Sequence, residues 1–312
     1  MEETLSYTPE EVAKLLKITR FTVYEMIKRG DLPAYRIGRK MRVEAPDLDN
    51  YIRNRKTRGR VENHGVQPAA GPVSPMHSNE LILCGQDVLL DILTRYLGSA
   101  LPNTRVLRSY VGSIDGLLAM YHGTANAVTA HLWDSDSDIY NVPYVRRLLP
   151  GFRTLLINLT FRMEGFYVKK NNPKHIHDWQ DLTRADVRFV NRERGSGARV
   201  LLDEKLRLLT IATDQIAGYG CEERSHLAVA SYVARGEADV GLGIEKVALQ
   251  VKELDFIPLQ KERYDLVIKK EDRDKETFVI LQEILRSKAF RDEVQGMGGY
   301  DLSRTGEIVA EI

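Results

Sequence analysis

Two short Gly-Ser segments contain the residue types that bind anions. Gly112-Ser113 follows one predicted strand and opens a predicted helix. Gly195-Ser196-Gly197 follows the strand-like run Val187–Val190 and opens another helix. Glycine lets the backbone approach a ligand, serine adds a hydroxyl, and a helix start offers free N–H groups and a positive potential. Each segment alone is also typical of a structural turn, but two in separate α/β halves predict a shared anion-binding cleft.

Charged and polar residues next to these segments extend the candidate site. Arg194 and Arg199 could supply positive charge, although Arg194 could instead pair with Glu193 or Asp203. Gly85-Gln86-Asp87 ends another predicted strand, where Asp87 could bind the ligand or cap the helix that it opens. The predicted ligand-binding residues are Gly85, Gln86, Asp87, Gly112, Ser113, Asn141, Arg194, Gly195, Ser196, Gly197 and Arg199.

Other polar residues have two interpretations. Asn141 could lie at the mouth of the cleft or order the turn that contains it. His131 and His226 stand next to predicted elements, where a single histidine more often packs than binds a ligand. The seven histidines have no zinc-type spacing, and the acidic run Asp134–Asp138 is typical of a solvated loop. We therefore predict no metal ion and no cofactor.

The sequence contains no catalytic or nucleotide-binding motif that we recognise. It lacks the Walker pattern and has no Gly-x-Gly-x-x-Gly after a predicted strand. We find no nucleophile beside a base and no pair of carboxylates at a plausible site. These observations favour a binding protein over an enzyme.

The N-terminal sixty residues are basic and have helix and hairpin signals. They hold 14 Lys and Arg against 9 Asp and Glu, whereas the whole chain holds 45 against 44. Thr8, Pro9 and Glu11 form a helix-start signal with a capping box. A second short helix from Thr19 and a hairpin about Gly38 predict a helix-turn-helix with a wing. The predicted DNA-binding residues are Thr19, Arg20, Phe21, Thr22, Tyr24, Lys28, Arg29, Arg36, Arg39, Lys40 and Arg42.

Four of these N-terminal stretches carry a family resemblance. Tyr7–Ala13, Thr22–Tyr24, Lys28–Ala34 and Ile37–Arg39 together resemble the excisionase-type winged helix-turn-helix, a relative of the MerR domain. The resemblance implies a second helix in the major groove of double-stranded DNA and a wing against the backbone or minor groove. The alternatives are a small protein-binding domain whose charges form a solvated face, or an architectural DNA-binding protein.

Composition divides the chain and excludes several classes. Residues 56–79 are rich in Pro and Gly with almost no large apolar residue, which predicts a linker between domains 1–55 and 80–312. No run of about 18 apolar residues occurs, so we expect no membrane span. The start lacks a signal-peptide pattern, and Cys84 and Cys221 form no disulfide framework. A cytoplasmic protein is the simplest expectation.

The body, residues 80–312, begins with a βαβαβ order that predicts a parallel sheet. It resembles the periplasmic-binding-protein-like domain that is fused to helix-turn-helix heads and to some molybdopterin-biosynthesis proteins. The stretches that carry this resemblance are Val111–Ser113, Gly116–Ala119, His131–Asp134, Tyr140–Arg147, Asn158–Arg162, Arg188–Arg199, His226–Ala230, Ala238–Glu245 and Arg263–Val267.

The two resemblances together imply an α/β protein with a small winged helix-turn-helix head and a two-lobed type II periplasmic-binding-protein-like body. Lobe one is expected at about 80–155 and 262–312, and lobe two at about 156–261. Related proteins bind molybdate or tungstate, so the expected function is a transcriptional regulator that senses one of these anions. A homodimer is expected from the family and from DNA half-site symmetry. The alternatives are a regulator that senses an organic metabolite, or an enzyme or binding module of molybdopterin metabolism.

Overall fold

The computed structural model describes residues 6–16, 19–20, 23, 26–27, 32–37, 40–48 and 79–312, with residues 36, 37 and 40 described only as backbone. The chain forms two units, Met1–Gly71 and Pro72–Ile312, which we call the head and the body. The predicted linker lies outside the described residues except for its last residue. Within the described ranges, no helix is long and apolar enough to cross a membrane.

The head contains a helix and a three-stranded antiparallel sheet in the order β1-β3-β2. The elements are β1 (Ser6–Tyr7), α1 (Pro9–Leu16), β2 (Tyr35–Ile37) and β3 (Lys40–Glu44). The predicted capping box is present, because Thr8 N donates to the Glu11 carboxylate at 2.7 Å and Glu11 N donates to Thr8 Oγ1 at 3.3 Å. The β2–β3 hairpin stands where the wing was predicted. The buried apolar residues include Val12, Val23, Met26, Leu32 and Val43.

The body alternates strands and helices as the sequence predicted. Its strands are β4 (Glu80–Cys84), β5 (Arg105–Ser109), β6 (Ala127–Ala130), β7 (Trp133–Asp134), β8 (Ile139–Tyr140), β9 (Thr154–Lys169), β10 (Phe189–Arg192), β11 (Glu222–Glu223), β12 (Val240–Ile244), β13 (Leu254–Lys269) and β14 (Ile308–Glu311). Its helices are α2 (Leu89–Ala100), α3 (Ser113–Tyr121), α4 (Val142–Leu148), α5 (Gly197–Leu209), α6 (His226–Ala234), α7 (Glu245–Ala248), α8 (Glu276–Arg286) and α9 (Lys288–Gly296).

One large sheet runs through the body in the order β11-β10-β12-β9-β13-β6-β4-β5, with β14 beside β9. The predicted parallel pairing of β4 with β5 and β6 is confirmed. The centre of the sheet is the antiparallel pair β9 and β13, each 16 residues long. These two strands pair along almost their whole length and therefore connect the two halves of the body.

Separate apolar cores divide the body into two lobes. We call the first lobe the part built on β4–β6 with α2, α3, α8 and α9, and the second lobe the part built on β10–β12 with α5 and α6. Leu89, Leu93 and Leu97 form the buried stripe of α2, and each contributes about 1.5–3 kcal/mol relative to an exposed position. Helix α8 packs into the same core through Phe278 and Leu281.

Candidate functional site

A small cavity lies between the two lobes of the body, where strands lead into helix starts. Its volume is about 20 Å³. The residues that line it are Gly85, Gln86, Asp87, Val111, Gly112, Ser113, Thr129, His131, Arg162, Ser196, His226 and Tyr264.

Four helices begin at the wall of this cavity. Helix α3 starts at the lining residue Ser113 and α6 at the lining residue His226. Helix α5 is capped by Ser196, and Asp87 Oδ1 accepts a hydrogen bond of 2.7 Å from Leu89 N at the start of α2. A helix start has a positive potential equivalent to roughly half an elementary charge. The rim of the cavity therefore attracts anions before any side-chain charge is considered.

The two predicted serines have different roles at the rim. Ser113 Oγ accepts a long hydrogen bond of 3.4 Å from His131 N, which leaves its hydroxyl proton to donate. Ser196 Oγ donates to Glu193 O at 2.9 Å and accepts from Arg199 N at 3.3 Å. The Ser196 hydroxyl is thus used within its own helix cap, and Ser113 has the hydroxyl better able to donate to a ligand.

The floor of the cavity contains a buried arginine between two carboxylates. Arg162 on β9 is 3% exposed and contacts Asp87 Oδ2 and, at 2.5 Å, Glu262 Oε1. Glu262 stands directly opposite Arg162 in the β9–β13 register. Burial disfavours the charged guanidinium, but Glu262 and Asp87 outweigh it and raise the pKa of Arg162 above its ordinary value. Tyr300 also donates to Asp87 Oδ1 at 2.7 Å, so this carboxylate is fully paired.

Two further groups complete the floor. His131 Nδ1 lies 2.6 Å from Glu262 Oε2, and the Glu164 carboxyl contacts Glu262 from the side. Burial raises the pKa of Glu164 well above its ordinary value, and the neighbouring Glu262 carboxylate raises it further. The Glu262 pKa is instead lowered, because Arg162 and His131 outweigh the effect of burial. Burial thus favours the neutral form of Glu164, whereas the cationic neighbours of Glu262 favour its ionised form.

Some nitrogen atoms at the cavity lack partners. Arg162 Nε and His226 Nδ1 are buried without a hydrogen bond, and both residues line the cavity. Burial lowers the pKa of His226 well below its ordinary value, and the charges of Arg192 and Arg162 lower it further. A buried polar atom without a partner costs stability, so a ligand that pairs with these atoms is stabilised.

The lobes touch each other at the edge of the cavity. Gln86 Nε2 donates to Glu193 Oε1 at 3.0 Å, and Arg192 Nη2 donates to Gln86 Oε1 at 2.6 Å. Ile114 N also donates to Gly195 O across the cleft at 3.0 Å. A Cβ atom at Gly112 would lie only 3.0 Å from the same carbonyl oxygen, so glycine permits this close approach. The cleft is closed in this structure.

The structure brings most of the predicted ligand-binding residues together. The lining includes Gly85, Gln86, Asp87, Gly112, Ser113 and Ser196. Gly195 adjoins it through the contact with Ile114, and a Cβ atom at Gly197 would lie 2.5 Å from the His131 ring. Asp87 caps α2, in agreement with one of the two interpretations that the sequence left open, and its second oxygen pairs with Arg162.

Three predicted residues lie away from the lining. The Arg194 side chain is 83% exposed and reaches toward Glu222. Arg199 is buried, but it pairs with Asp203 and Glu222 within the second lobe. Asn141 is fully buried and orders its turn, because its Oδ1 accepts from Leu132 N at 2.7 Å. The positive charge at the site comes instead from Arg162.

Sequence reasoning missed the floor of the cavity. The lining residues that it did not select are Val111, Thr129, His131, Arg162, His226 and Tyr264. Arg162 and Glu164 alternate with apolar residues in β9, whereas Glu262 and Tyr264 stand among charged residues in β13. Ionisable residues on one face of a strand-like run were the sequence signal that could have indicated the floor. A buried charge requires a partner, so such residues are expected to meet others of opposite charge.

In the head, only part of the predicted DNA-binding set falls on described residues. Arg20 Nε pairs with Glu10 at 2.8 Å, and Arg42 Nη1 donates to Ser6 O at 3.3 Å. Thr19 is described, and Arg36 and Lys40 lie on β2 and β3. The others lie outside the described residues: Phe21, Thr22, Tyr24, Lys28, Arg29 and Arg39.

Comparison with known proteins identifies both parts of the chain. Residues 94–286 match the family described as the PBP superfamily domain, and residues 6–56 match the helix-turn-helix domain. The chain is 42% identical over 311 residues to the uncharacterized protein YvgK of Bacillus subtilis (strain 168), with 100% of each chain covered. It is 34% identical over 101 residues to the thiosulfate-binding protein of Escherichia coli (strain K12), which covers 30% of this chain and 29% of that protein.

A solved structure shows the same fold for the body. A substrate-binding protein from Clostridium perfringens with bound phosphate superposes with a TM-score of 0.54 at 14% identity, covering 72% of this chain and 99% of the other. The predicted α/β class, with a helix-turn-helix head and a periplasmic-binding-protein-like body, is confirmed. Both matched domains are of binding types. The chain therefore belongs to the PBP superfamily and joins a domain of that family to an N-terminal helix-turn-helix domain.

Proposed function

We propose that the protein is a transcriptional regulator whose head binds double-stranded DNA and whose body senses a small oxyanion, molybdate or tungstate. The observation that carries the ligand class is the convergence of four helix starts on one cavity. Arg162 and His226 add buried nitrogen atoms that have no partner. A tetrahedral dianion accepts many hydrogen bonds at once and matches this set of donors.

The size of the cavity supports an inorganic ion over an organic metabolite. A single water requires roughly 10–15 Å³ measured in this way, and the closed cavity measures about 20 Å³. An oxyanion of five atoms needs a small widening of the cleft, whereas an amino acid needs the lobes to separate. An organic metabolite is the second candidate ligand. If it is the ligand, the cleft should close much less on it than on an oxyanion.

The names of two similar proteins support an anion as the ligand but do not select one anion. Thiosulfate and phosphate are named for proteins similar to the body. Molybdate and tungstate, like thiosulfate, carry no proton at neutral pH, whereas phosphate is partly protonated. The rim suits such a ligand because it presents mainly donors.

The head is the basis for our proposals on the location of the protein and on the effect of its ligand. Because the chain joins a DNA-binding head to a ligand-binding body, we place the protein in the cytoplasm and expect a homodimer on symmetric half-sites. The anion shifts DNA affinity only by its preference for one state of the lobes. Ligand binding and DNA binding are therefore linked, and each must change the affinity of the other.

DNA binding of the full-length protein, measured with and without molybdate, tests the regulator proposal. We expect the apparent DNA affinity to change severalfold with the anion. Arg39→Ala with Lys40→Ala should weaken binding to all sequences and reduce the slope of log affinity against log salt by up to about 2, since each phosphate contact contributes about 0.9. An unchanged slope would remove the wing from the DNA interface, and DNA affinity insensitive to every oxyanion and metabolite tested would contradict regulation.

A further inference from the structure

Three side chains of metal-binding type meet beneath the cavity. Among the residues that the structure describes, His131, Glu164 and Glu262 offer ligand atoms that all lie within 4.8 Å of one another. Glu164 and Glu262 are 1% and 0% exposed, and the His131 side chain is 11% exposed. They come from the end of β6 and from the two central strands, so only the folded sheet brings them together.

The Glu164 carboxyl is the one acidic group of the floor without an ion pair. Among the described residues, Asp87 contacts Arg162, and Glu262 contacts both Arg162 and His131, whereas no cationic side chain forms an ion pair with Glu164. A buried carboxyl without a cation favours its neutral form, and a buried carboxylate is normally paired with a cation or coordinates a metal ion. A metal ion beside Glu164 would supply the missing cation.

An unpaired oxygen points to the nature of that cation. Glu164 Oε1 is buried and has no hydrogen-bond partner. Glu262 Oε1 likewise has no hydrogen bond of good geometry, although it forms an ion pair with Arg162. A proton between the two carboxyl groups satisfies one oxygen of each. A metal ion accepts lone pairs from Glu164, Glu262 and the His131 imidazole at the same time.

We propose that His131, Glu164 and Glu262 bind one divalent transition-metal ion. Two carboxylates and an imidazole form a donor set that suits Zn²⁺, Mn²⁺ or Fe²⁺. Bonds of about 2.0–2.2 Å allow ligand atoms up to roughly 4.2 Å apart, so the most distant pair would close by less than about 1 Å. The ion would replace the hydrogen bond between His131 Nδ1 and Glu262 Oε2. Arg162 would orient Glu262 through its second oxygen, in the manner of outer-shell groups at metal sites.

The position of the ion has a consequence for the cavity. His131 lines the cavity, whereas the lining does not include Glu164 or Glu262. The ion would lie between floor and rim, and a metal with three protein ligands keeps an open coordination position. The sequence predicted no metal because the ligands, at positions 131, 164 and 262, have no short spacing.

Calorimetric titration of the EDTA-treated full-length protein with Zn²⁺ and with Mn²⁺, in a buffer without oxyanions, tests this site. The expected result is one ion per chain, with affinity reduced more than about a hundredfold in Glu164→Gln, because loss of a direct ligand costs more than loss of an outer-shell group. Glu204→Gln is the matched control, since that carboxylate contacts Ser135 and Arg207 and lies outside the cluster. Its affinity should stay within about threefold of wild type. Absence of binding, or equal affinity of wild type and Glu164→Gln, would overturn the proposal.

A crystal of the wild-type protein grown with Zn²⁺ gives an answer that does not depend on a variant folding. An anomalous-scattering peak between His131, Glu164 and Glu262 is the expected result, and a peak elsewhere or none would overturn the site. The inference is independent of the oxyanion proposal, because neither experiment contains an oxyanion or DNA. Failure of metal binding leaves the anion-binding rim as a separate question.

Discussion

The rim and the floor of the cavity are built in different ways. At the rim, Ser113 and Ser196 stand in short turns before helices, and each interacts mainly with residues near it or with backbone groups. At the floor, Arg162 and Glu262 come from strands a hundred positions apart and are almost completely buried. A local turn fixes the rim, whereas the floor exists only when the whole sheet has formed.

This difference has energetic consequences. Removing one hydroxyl at the rim loses about one hydrogen bond, which contributes roughly 0.5–1.5 kcal/mol, or 1.5–3 kcal/mol when the partner is charged. Removing one charge at the floor leaves its buried partners unpaired, which costs about 3–5 kcal/mol. The rim can therefore change with the ligand, while the floor must stay intact for the body to fold.

Arg162→Met gives the largest expected effect and tests whether the floor is structural. Two carboxylates, those of Asp87 and Glu262, would remain buried without their cation. We expect the free energy of unfolding to fall by about 3–5 kcal/mol, measured by urea denaturation. Arg207→Met is the control, because Arg207 forms ion pairs but its side chain is 50% exposed. A much smaller loss is expected there, because an exposed ion pair contributes little to stability, and equal losses in the two variants would contradict the comparison.

Glu164→Gln tests the protonation of the floor through the pH dependence of stability. The pKa of Glu164 is raised in the folded protein, so its contribution to stability is complete below the ordinary pKa of about 4.5 and is lost as pH rises toward the folded pKa. Glutamine resembles the protonated acid and does not titrate. In EDTA, the free energy of unfolding of the variant should equal that of wild type near pH 5. As pH rises, the variant should become more stable than wild type, by at most about 1.4 kcal/mol per pH unit. A difference that is constant with pH would mean that Glu164 is ionised.

Substitution of the two serines at the rim gives the smallest expected effects and separates their roles. Ser113→Ala should lower oxyanion affinity about tenfold and leave stability nearly unchanged, because the lost hydroxyl is free to donate to the ligand. Ser196→Ala should instead cost about 1 kcal/mol of stability, since this hydroxyl caps α5, with a smaller change in affinity. Titration calorimetry and thermal unfolding separate the two quantities. The reverse pattern would show that the roles of the serines are exchanged.

The rim could be predicted from sequence because its signals are local. A glycine and a serine between a strand-like and a helix-like run determine a turn and a helix start, and Gly112-Ser113 lies where this pattern indicates. The head's capping box of Thr8 and Glu11 was predictable for the same reason. In each case, the residues that determine the turn or the helix cap lie within four positions of one another.

The charge at the site could not be predicted from sequence in the same way. Arg199 is beside the second Gly-Ser segment, yet helical spacing directs it to Asp203, four residues on, and the fold adds Glu222. Arg162 reaches the cavity because β9 and β13 pair in a register that places it opposite Glu262. That register depends on long-range pairing, which no short stretch of the chain specifies.

Thermal unfolding of the full-length protein with molybdate, tungstate, sulfate and phosphate tests the central claim, that the cavity binds a small oxyanion. Mass action predicts stabilisation of about 2.7 kcal/mol when the anion is at a hundred times its dissociation constant. We expect molybdate or tungstate to raise the unfolding temperature selectively, and Ser113→Ala to reduce that rise. No change in unfolding temperature with any of the four anions would contradict the claim and would favour an organic metabolite as the ligand.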